Sequence, residues 1–247
     1  MGRDHLHPYQ NRKASGYREL QKVIIYAEGR NTEYNYCEQL KRQNCSLVPV
    51  VQRGHGIGNC VDFVEESNKK FNNLSKEQRD KYKQKWLMYD CDGHEDFAES
   101  IVKARKYGFK VVFSNMCIEY WFVLHFYTHD GRPISMKADS HSQAQIDMIN
   151  DYIKRYNRKA VAKVKEYDGD SKKVEDDFFD LMLAVDPQTH NRRIIDAYDR
   201  AKTIHTKKKA NGAEFCESVT TMYEFLKEIG VIKEKDDGSL TLAEYNQ

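Results

Sequence analysis

Several absences narrow the reading before any motif is considered. The six cysteines, Cys37, Cys45, Cys60, Cys91, Cys117 and Cys216, contain no C-x-x-C pair. Their scatter argues against a zinc site and against a disulfide framework, which leaves reduced cytosolic thiols as the expectation. No apolar run approaches the ~20 residues of a membrane span, and the first twenty residues are polar and basic, without the apolar centre of a secretory signal. A cytoplasmic protein with no membrane partner is expected. An excess of one charge is missing too: 40 basic residues face 38 acidic ones, a net charge of +2. No global field announces a nucleic-acid partner, and only a local basic groove stays open. The chain also lacks a Walker-type P-loop, so it carries no nucleotide motor or switch of its own. At 247 residues it is too short for the separate cleavage domains of a topoisomerase, although its sixteen tyrosines keep residue type alone from excluding a covalent mechanism.

What is present is an α/β pattern. Val23, Ile24, Ile25 and Tyr26 form an apolar, β-branched run with no polar alternation, the mark of a strand buried on both faces of a parallel sheet. It stops at Ala27-Glu28-Gly29, which places a carboxylate at the strand's C-terminal end, and a helix is expected from about Thr32 to Leu40. Leu47 to Val51 reads as a second strand, Trp86 to Tyr89 as a third and Phe109 to Phe113 as a fourth, with helices from Asn59 to Phe71 and Asp96 to Tyr107 and a short helical piece between Asn72 and Lys85. The fold class is therefore α/β, with a mainly parallel four-stranded sheet flanked by helices. The third strand runs into Asp90-Cys91-Asp92-Gly93. Carboxylates two residues apart on an extended segment point the same way, and with Glu28 they could hold a hard divalent cation at the sheet edge where ligands of open α/β sheets bind. Gly54-His55-Gly56-Ile57-Gly58 has the look of a phosphate-binding glycine loop. It follows the second strand rather than the first and lacks the full spacing, so it reads as a flexible loop.

A helix from about Cys117 through Phe126 is apolar almost all round and should be packed inside the domain. Glu119 and His125 stand out in it, because a buried charge must be paired or bind a cation. The plain alternative is a Glu119 that caps or salt-bridges and a His125 satisfied in the core. His125 and His129 also have the i, i+4 spacing of a metal pair, but no third ligand accompanies them, which argues against zinc. Residues 1–20, with Arg3, Arg12, Lys13 and Arg18, read as a basic arm, solvated or touching phosphates. Residues 21–130 form the α/β domain. From 131 to 247 the composition turns to polar helical segments, Gln143 to Lys165, Val174 to Val185, Asn191 to Thr206 and Ser218 to Ile229, with Lys207-Lys208-Lys209 as a basic loop and a frayed C-terminus. Their narrow apolar faces need a surface to cover, so this extension should pack on the first domain.

Tyr26-Ala27-Glu28-Gly29-Arg30-Asn31-Thr32-Glu33, Met88-Tyr89-Asp90-Cys91-Asp92, Ser114-Asn115-Met116-Cys117-Ile118-Glu119-Tyr120-Trp121 through Leu124-His125-Phe126 and, more weakly, Ser218 to Leu226 together resemble the RloB family, whose members are regarded as Toprim-fold proteins of restriction and phage-defence loci. The combination is specific, whereas each motif alone is weak. The resemblance implies a Toprim-like Rossmannoid domain in which Asp90 and Asp92 hold Mg²⁺ or Mn²⁺ and Glu28 acts as metal ligand or general acid/base. Glu119 and His125 match the family's second motif and are expected near the site. Met116 stands where the family usually shows proline.

Two functions compete. One is a magnesium-dependent nuclease effector of an antiphage system, cleaving RNA such as tRNA in preference to DNA, because related Toprim effectors cut tRNA beside an ATPase sensor. An ABC-type ATPase encoded nearby is then the expected partner, with a homo-oligomer also open. The other is a non-catalytic Toprim-like subunit that binds nucleic acid or the ATPase.

Overall fold

The computed structural model describes residues 21–54, 58–137, 140 and 142–243. The basic arm and part of the glycine loop lie outside them. The chain opens with strand β1 (Gln21–Ala27), helix α1 (Thr32–Leu40) and strand β2 (Leu47–Gln52), followed by α2 (Cys60–Asn72), the short α3 (Lys76–Asp80) and β3 (Tyr82–Asp90). Then come α4 (Phe97–Lys106), β4 (Lys110–Asn115) and α5 (Glu119–Phe126). Strand-end signals in the sequence undercounted β3, whose nine residues start in the polar stretch before Trp86. The second half supplies α6 (Gln143–Lys159), α7 (Asp176–Leu183), α8 (Arg193–Ala210), β5 (Val219–Thr220), α9 (Met222–Glu228) and a hairpin of β6 (Ile232–Glu234) and β7 (Leu240–Leu242).

The sheet has five strands rather than four, in the order β2-β1-β3-β4-β5. The first four are parallel, and β5 joins β4 antiparallel, with Ser114 opposite Thr220 and Asn115 opposite Val219. Two residues are too few to show a period-2 pattern, which is why a helix is expected from Ser218 when only the sequence is read. The extension is therefore not purely helical: it completes the sheet and adds a hairpin. Lys207, Lys208 and Lys209 are corrected as well. They form the last turn of α8, not a loop, as suits lysine, a good helix former whose charge opposes the negative end of the helix dipole.

Alternation along the central strands divides their side chains between two apolar layers. Val23, Ile25 and Ala27 of β1, Trp86 and Met88 of β3 and Val112 of β4 join one core. Ile24, Tyr26, Leu87, Tyr89 and Phe113 join the other, against Cys60, Phe63 and Val64 of α2 and Phe97, Ile101 and Ala104 of α4. The first core runs without a break from the sheet through α1 and α5 to Ile146, Ile149 and Ile153 of α6, Phe178 and Phe179 of α7 and Ile194, Ala197 and Tyr198 of α8. All eight residues of α5 are buried, as its all-round apolar sequence requires. Trp121 donates its indole N–H to the Tyr36 hydroxyl at 2.9 Å, so the helix is pinned to α1 through a polar contact inside that core. Arg200 of α8 holds the other end by donating to the Leu124 carbonyl at 2.7 Å.

Candidate functional site

The strand order places a topological switch point between β1 and β3: the connection from β1 leaves toward β2, and the chain returns to β3 on the other side. Ligands of open α/β sheets bind outside the carboxyl ends of the strands at such a point. Glu28 follows the last residue of β1 and Asp90 ends β3. The two ends are tied together, because the Glu28 N–H donates to the Met88 carbonyl at 3.0 Å. Asp92 sits two residues on, in the left-handed region at φ 44°, and its N–H donates to Met116 at 3.2 Å. The Asn115–Met116 peptide is cis.

Glu28, Asp90 and Asp92 line one cleft of about 240 Å³, together with Glu33 and Glu119. The sequence reading thus brings Glu28, Asp90, Asp92 and Glu119 into one place. It missed Glu33, which lies in the first turn of α1 and is buried. Position gave the only available signal: a glutamate one turn past Glu28, at a helix start where a carboxylate is favoured. Gly29 is what lets it in, since a Cβ there would stand 2.2 Å from a Glu33 carboxylate oxygen. Gly54 serves the same end from β2's side. A Cβ on it would lie 1.7 Å from the Glu28 carbonyl oxygen, so the first residue of the glycine loop is a close backbone approach beside Glu28.

Five carboxylates in so small a space perturb one another. Burial, then Glu33 and Asp92, push the Glu28 carboxyl up to about 7. Burial raises Glu33 to about 7 as well, with Glu119 adding to the effect and Lys172 opposing it. Asp90 keeps some surface open to the cleft, yet protein atoms crowd its carboxyl. Burial followed by the charges of Glu33, Asp92 and Glu119 holds it well above the usual carboxylate range, against the pull of a 3.1 Å hydrogen bond accepted by Oδ2 from the Ile118 N–H. Burial and the neighbouring Glu119 and Asp90 raise the Cys117 thiol too, which keeps it un-ionised.

The second half of the chain closes the cleft. Tyr167, in the segment between α6 and α7, donates its hydroxyl to Glu119 Oε1 at 3.0 Å and fixes that buried carboxyl. Lys172, on the same segment at φ 50°, lines the rim. Burial opposes its charge, but Glu119, Asp90 and Glu33 outweigh that and raise its pKa. Neither residue lies on a periodic element, so hydrophobic patterning gave no signal for them.

His125 is not brought to the cleft. Its Nδ1–H donates to the Trp121 carbonyl at 2.9 Å, its ring packs edge-on against the Trp121 ring at 4.7 Å, and its buried Nε2 has no hydrogen-bond partner among the described residues. Burial lowers its pKa to about 3, so it is a neutral imidazole in the dry core. His129 points elsewhere, to the Tyr120 hydroxyl at 2.9 Å, and the two histidines do not act as a pair.

The cleft's five carboxylates supply oxygen donors and outnumber its two cations, Arg30 and Lys172, a chemistry that suits a hard divalent cation held by Glu28, Asp90 and Asp92. Among the described residues no three His, Cys, Asp or Glu side chains have the spacing of a ready-made metal site. The fit is one of charge and donor type rather than of preset distances.

Residues 23–229 match the family model of the RloB-like proteins, and the chain belongs to that family. No match was found among curated proteins or among solved structures. Among the described residues no helix is long and apolar enough to cross a membrane.

Proposed function

We propose that this RloB-like protein is a metal-dependent Toprim nuclease, acting on RNA before DNA as the effector of an antiphage system. The observation that carries the reading is the meeting of Glu28, Asp90 and Asp92 at the switch point of the sheet, where burial together with the charges of Glu33 and Asp92 raises the carboxyls of both Glu28 and Asp90. Mutual repulsion of this kind has no structural benefit by itself and is relieved when a cation binds. When bound, Mg²⁺ or Mn²⁺ would polarise the scissile phosphate and make a water more acidic. Glu28, whose carboxyl burial and its acidic neighbours raise in the cation-free cleft, lies where it could hold the cation or exchange a proton with the attacking water. Glu119 is oriented by the Tyr167 hydroxyl at the cleft's inner end. Lys172 offers the rim a cation for the substrate phosphate. The defence role and an ABC-type ATPase partner rest on family membership and on the lack of a P-loop in this chain.

A second reading has one observation in its favour: the carboxylates lack ready-made metal spacing. It makes the chain a non-catalytic subunit that binds nucleic acid or the ATPase. The deciding experiment is metal-dependent cleavage on a panel of total RNA and plasmid DNA, with and without the product of a neighbouring ATPase gene. Cleavage that needs Mg²⁺ or Mn²⁺ and disappears in Asp90→Asn supports the nuclease. Tight binding without cleavage under every condition supports the subunit.

A further inference from the structure

A cavity of about 820 Å³ lies away from the carboxylates, at the far end of α5. Its walls are the C-terminal half of α6, the residues that end α5 and the turn between α7 and α8. The sequence Lys154-Arg155-Tyr156-Asn157-Arg158-Lys159 interleaves cations with an aromatic ring, and Arg155, Tyr156, Arg158 and Lys159 all face the groove. Phe126 and Tyr152 stack with ring centres 4.5 Å apart and Tyr127 meets Tyr152 edge-on at 6.0 Å, while the guanidinium groups of Arg193 and Arg155 lie over Tyr152 and Tyr127, so these rings are packed and Tyr156 is the half-buried ring beside the row of cations.

The floor is built rather than incidental. Arg193 is 2% exposed, donates Nε–H to the Tyr152 hydroxyl at 3.1 Å and Nη1–H to the Val185 carbonyl at 3.3 Å, and pairs with Asp186 at 3.3 Å. Asp186 is thereby neutralised, and it is the groove's one carboxylate against four cations. Among the described residues no carboxylate is in ion-pair reach of Arg155, Arg158 or Lys159. Favourable placement at the end of α6 explains why Arg158 and Lys159 are tolerated. It does not explain an exposed row of cations set beside half-buried tyrosines over a large open groove.

We propose that this groove binds a single-stranded nucleic-acid segment, with a base stacked on Tyr156 and backbone phosphates along Arg155, Arg158 and Lys159. Stacking is indifferent to sequence because every base has a π-face, and the cations follow the backbone. A row of three cations along one helical turn suits successive phosphates better than a single one. The groove and the carboxylate cleft are joined by α5: Glu119 starts that helix and Phe126 ends it, roughly 10 Å apart at ~1.5 Å per residue. The inference takes its class of anion from the nucleic-acid reading above.

Binding of a fluorescein-labelled oligouridylate, followed by anisotropy in EDTA so that no cleavage is required, tests it over a series of salt concentrations. The combined variant Arg155→Glu, Arg158→Glu, Lys159→Glu should weaken binding more than tenfold. It should also flatten the slope of log K against log salt by about 2, at ~0.7 per lost phosphate contact on a single strand. Tyr156→Ala should weaken binding about tenfold with the salt slope unchanged, and Tyr156→Phe should restore it, since only the ring face is needed. Thermal melts check that every variant is folded, and Glu65→Gln, on α2 away from both the groove and the cleft, should bind like the wild type. Groove variants that bind as tightly as wild type overturn the groove and leave the nuclease reading standing. A wild-type protein that binds no oligonucleotide overturns both. Displacement of the oligonucleotide by uridine monophosphate at matched concentration overturns the strand and leaves a single-nucleotide pocket.

Discussion

The two ends of α5 carry opposite chemistries. At its N-terminal end the buried Glu119 shares a cleft with four further carboxylates and two cations, Arg30 and Lys172. At its C-terminal end Phe126 opens onto a groove where the Arg193–Asp186 pair is neutral and Arg155, Arg158 and Lys159 remain as cations. Between them His125 is sealed in apolar surroundings with an unpartnered ring nitrogen. Glu119 and His125 attract attention for the same reason, as polar residues in an otherwise apolar helix, and the fold separates them by direction. The first turn of α5 abuts the sheet's carboxyl edge, where Asp90 accepts from the Ile118 N–H, whereas the imidazole near its end stays against Trp121 and Phe126. An out-of-place polar residue marks a constraint, and its neighbours decide whether the constraint is chemical or structural.

The strongest way to break this contrast is Asp90→Asn. Cleavage in Mg²⁺ should fall by about 10²–10⁴-fold, the range typical of a lost catalytic group, while metal-free protein melts no lower than wild type because a repelled charge has been removed. Wild-type cleavage by the folded variant would end the nuclease assignment. His125→Ala should do the reverse. Deleting a buried ring costs roughly 2–4 kcal/mol by chemical denaturation, with the cleavage rate of the remaining folded protein unchanged. A folded His125 variant with no activity would return that residue to the site.

A third effect, on the order of 1–3 kcal/mol, comes from pH. Glu28 and Glu33 have folded pKa values near 7, above the usual carboxylate value. Between about 4.5 and 7 the folded state therefore binds more protons than the unfolded one, and these groups make stability fall as pH rises. His125, lowered to about 3, acts in the opposite sense: the unfolded state binds more protons below about 6.5, so its contribution rises with pH. In EDTA, His125→Phe should steepen the decline in melting temperature from pH 5 to pH 7, and Mg²⁺ should flatten it. A decline that Mg²⁺ leaves untouched would argue against cation binding at these carboxylates. The smallest effect is that of Tyr167→Phe, which removes one hydroxyl from Glu119 and should cost about 1 kcal/mol of stability. A modest drop in cleavage should accompany it, whereas an unaltered melt would show Glu119 to be held by other contacts.

Much of the sheet was legible because its strands are buried on both faces and declare themselves as unbroken apolar runs. Glu28, Asp90 and Asp92 follow from where those runs stop. What stayed hidden depends on contacts distant in sequence. β5 is two residues defined by its partner β4. Tyr167 and Lys172 sit on an irregular segment whose position is set by hydrogen bonds such as Asn150 with the Tyr167 backbone at 2.7 and 2.9 Å. Tyr156 of α6 falls on that helix's apolar spacing and is partly packed against the core, and only the shape around it sets it beside a groove.

Tyr167 and Lys172 also give the site a schedule. Every edge carboxylate has left the ribosome well before the segment that closes the cleft, and β5 follows later still. With 53 residues separating Glu119 from Lys172, translation at ~5–20 residues per second leaves a gap of roughly 3–11 seconds in which the nascent chain carries its acids without their clamp. A ribosome that stops in that interval releases a polypeptide bearing Glu28, Asp90, Asp92 and Glu119 and yet no finished site.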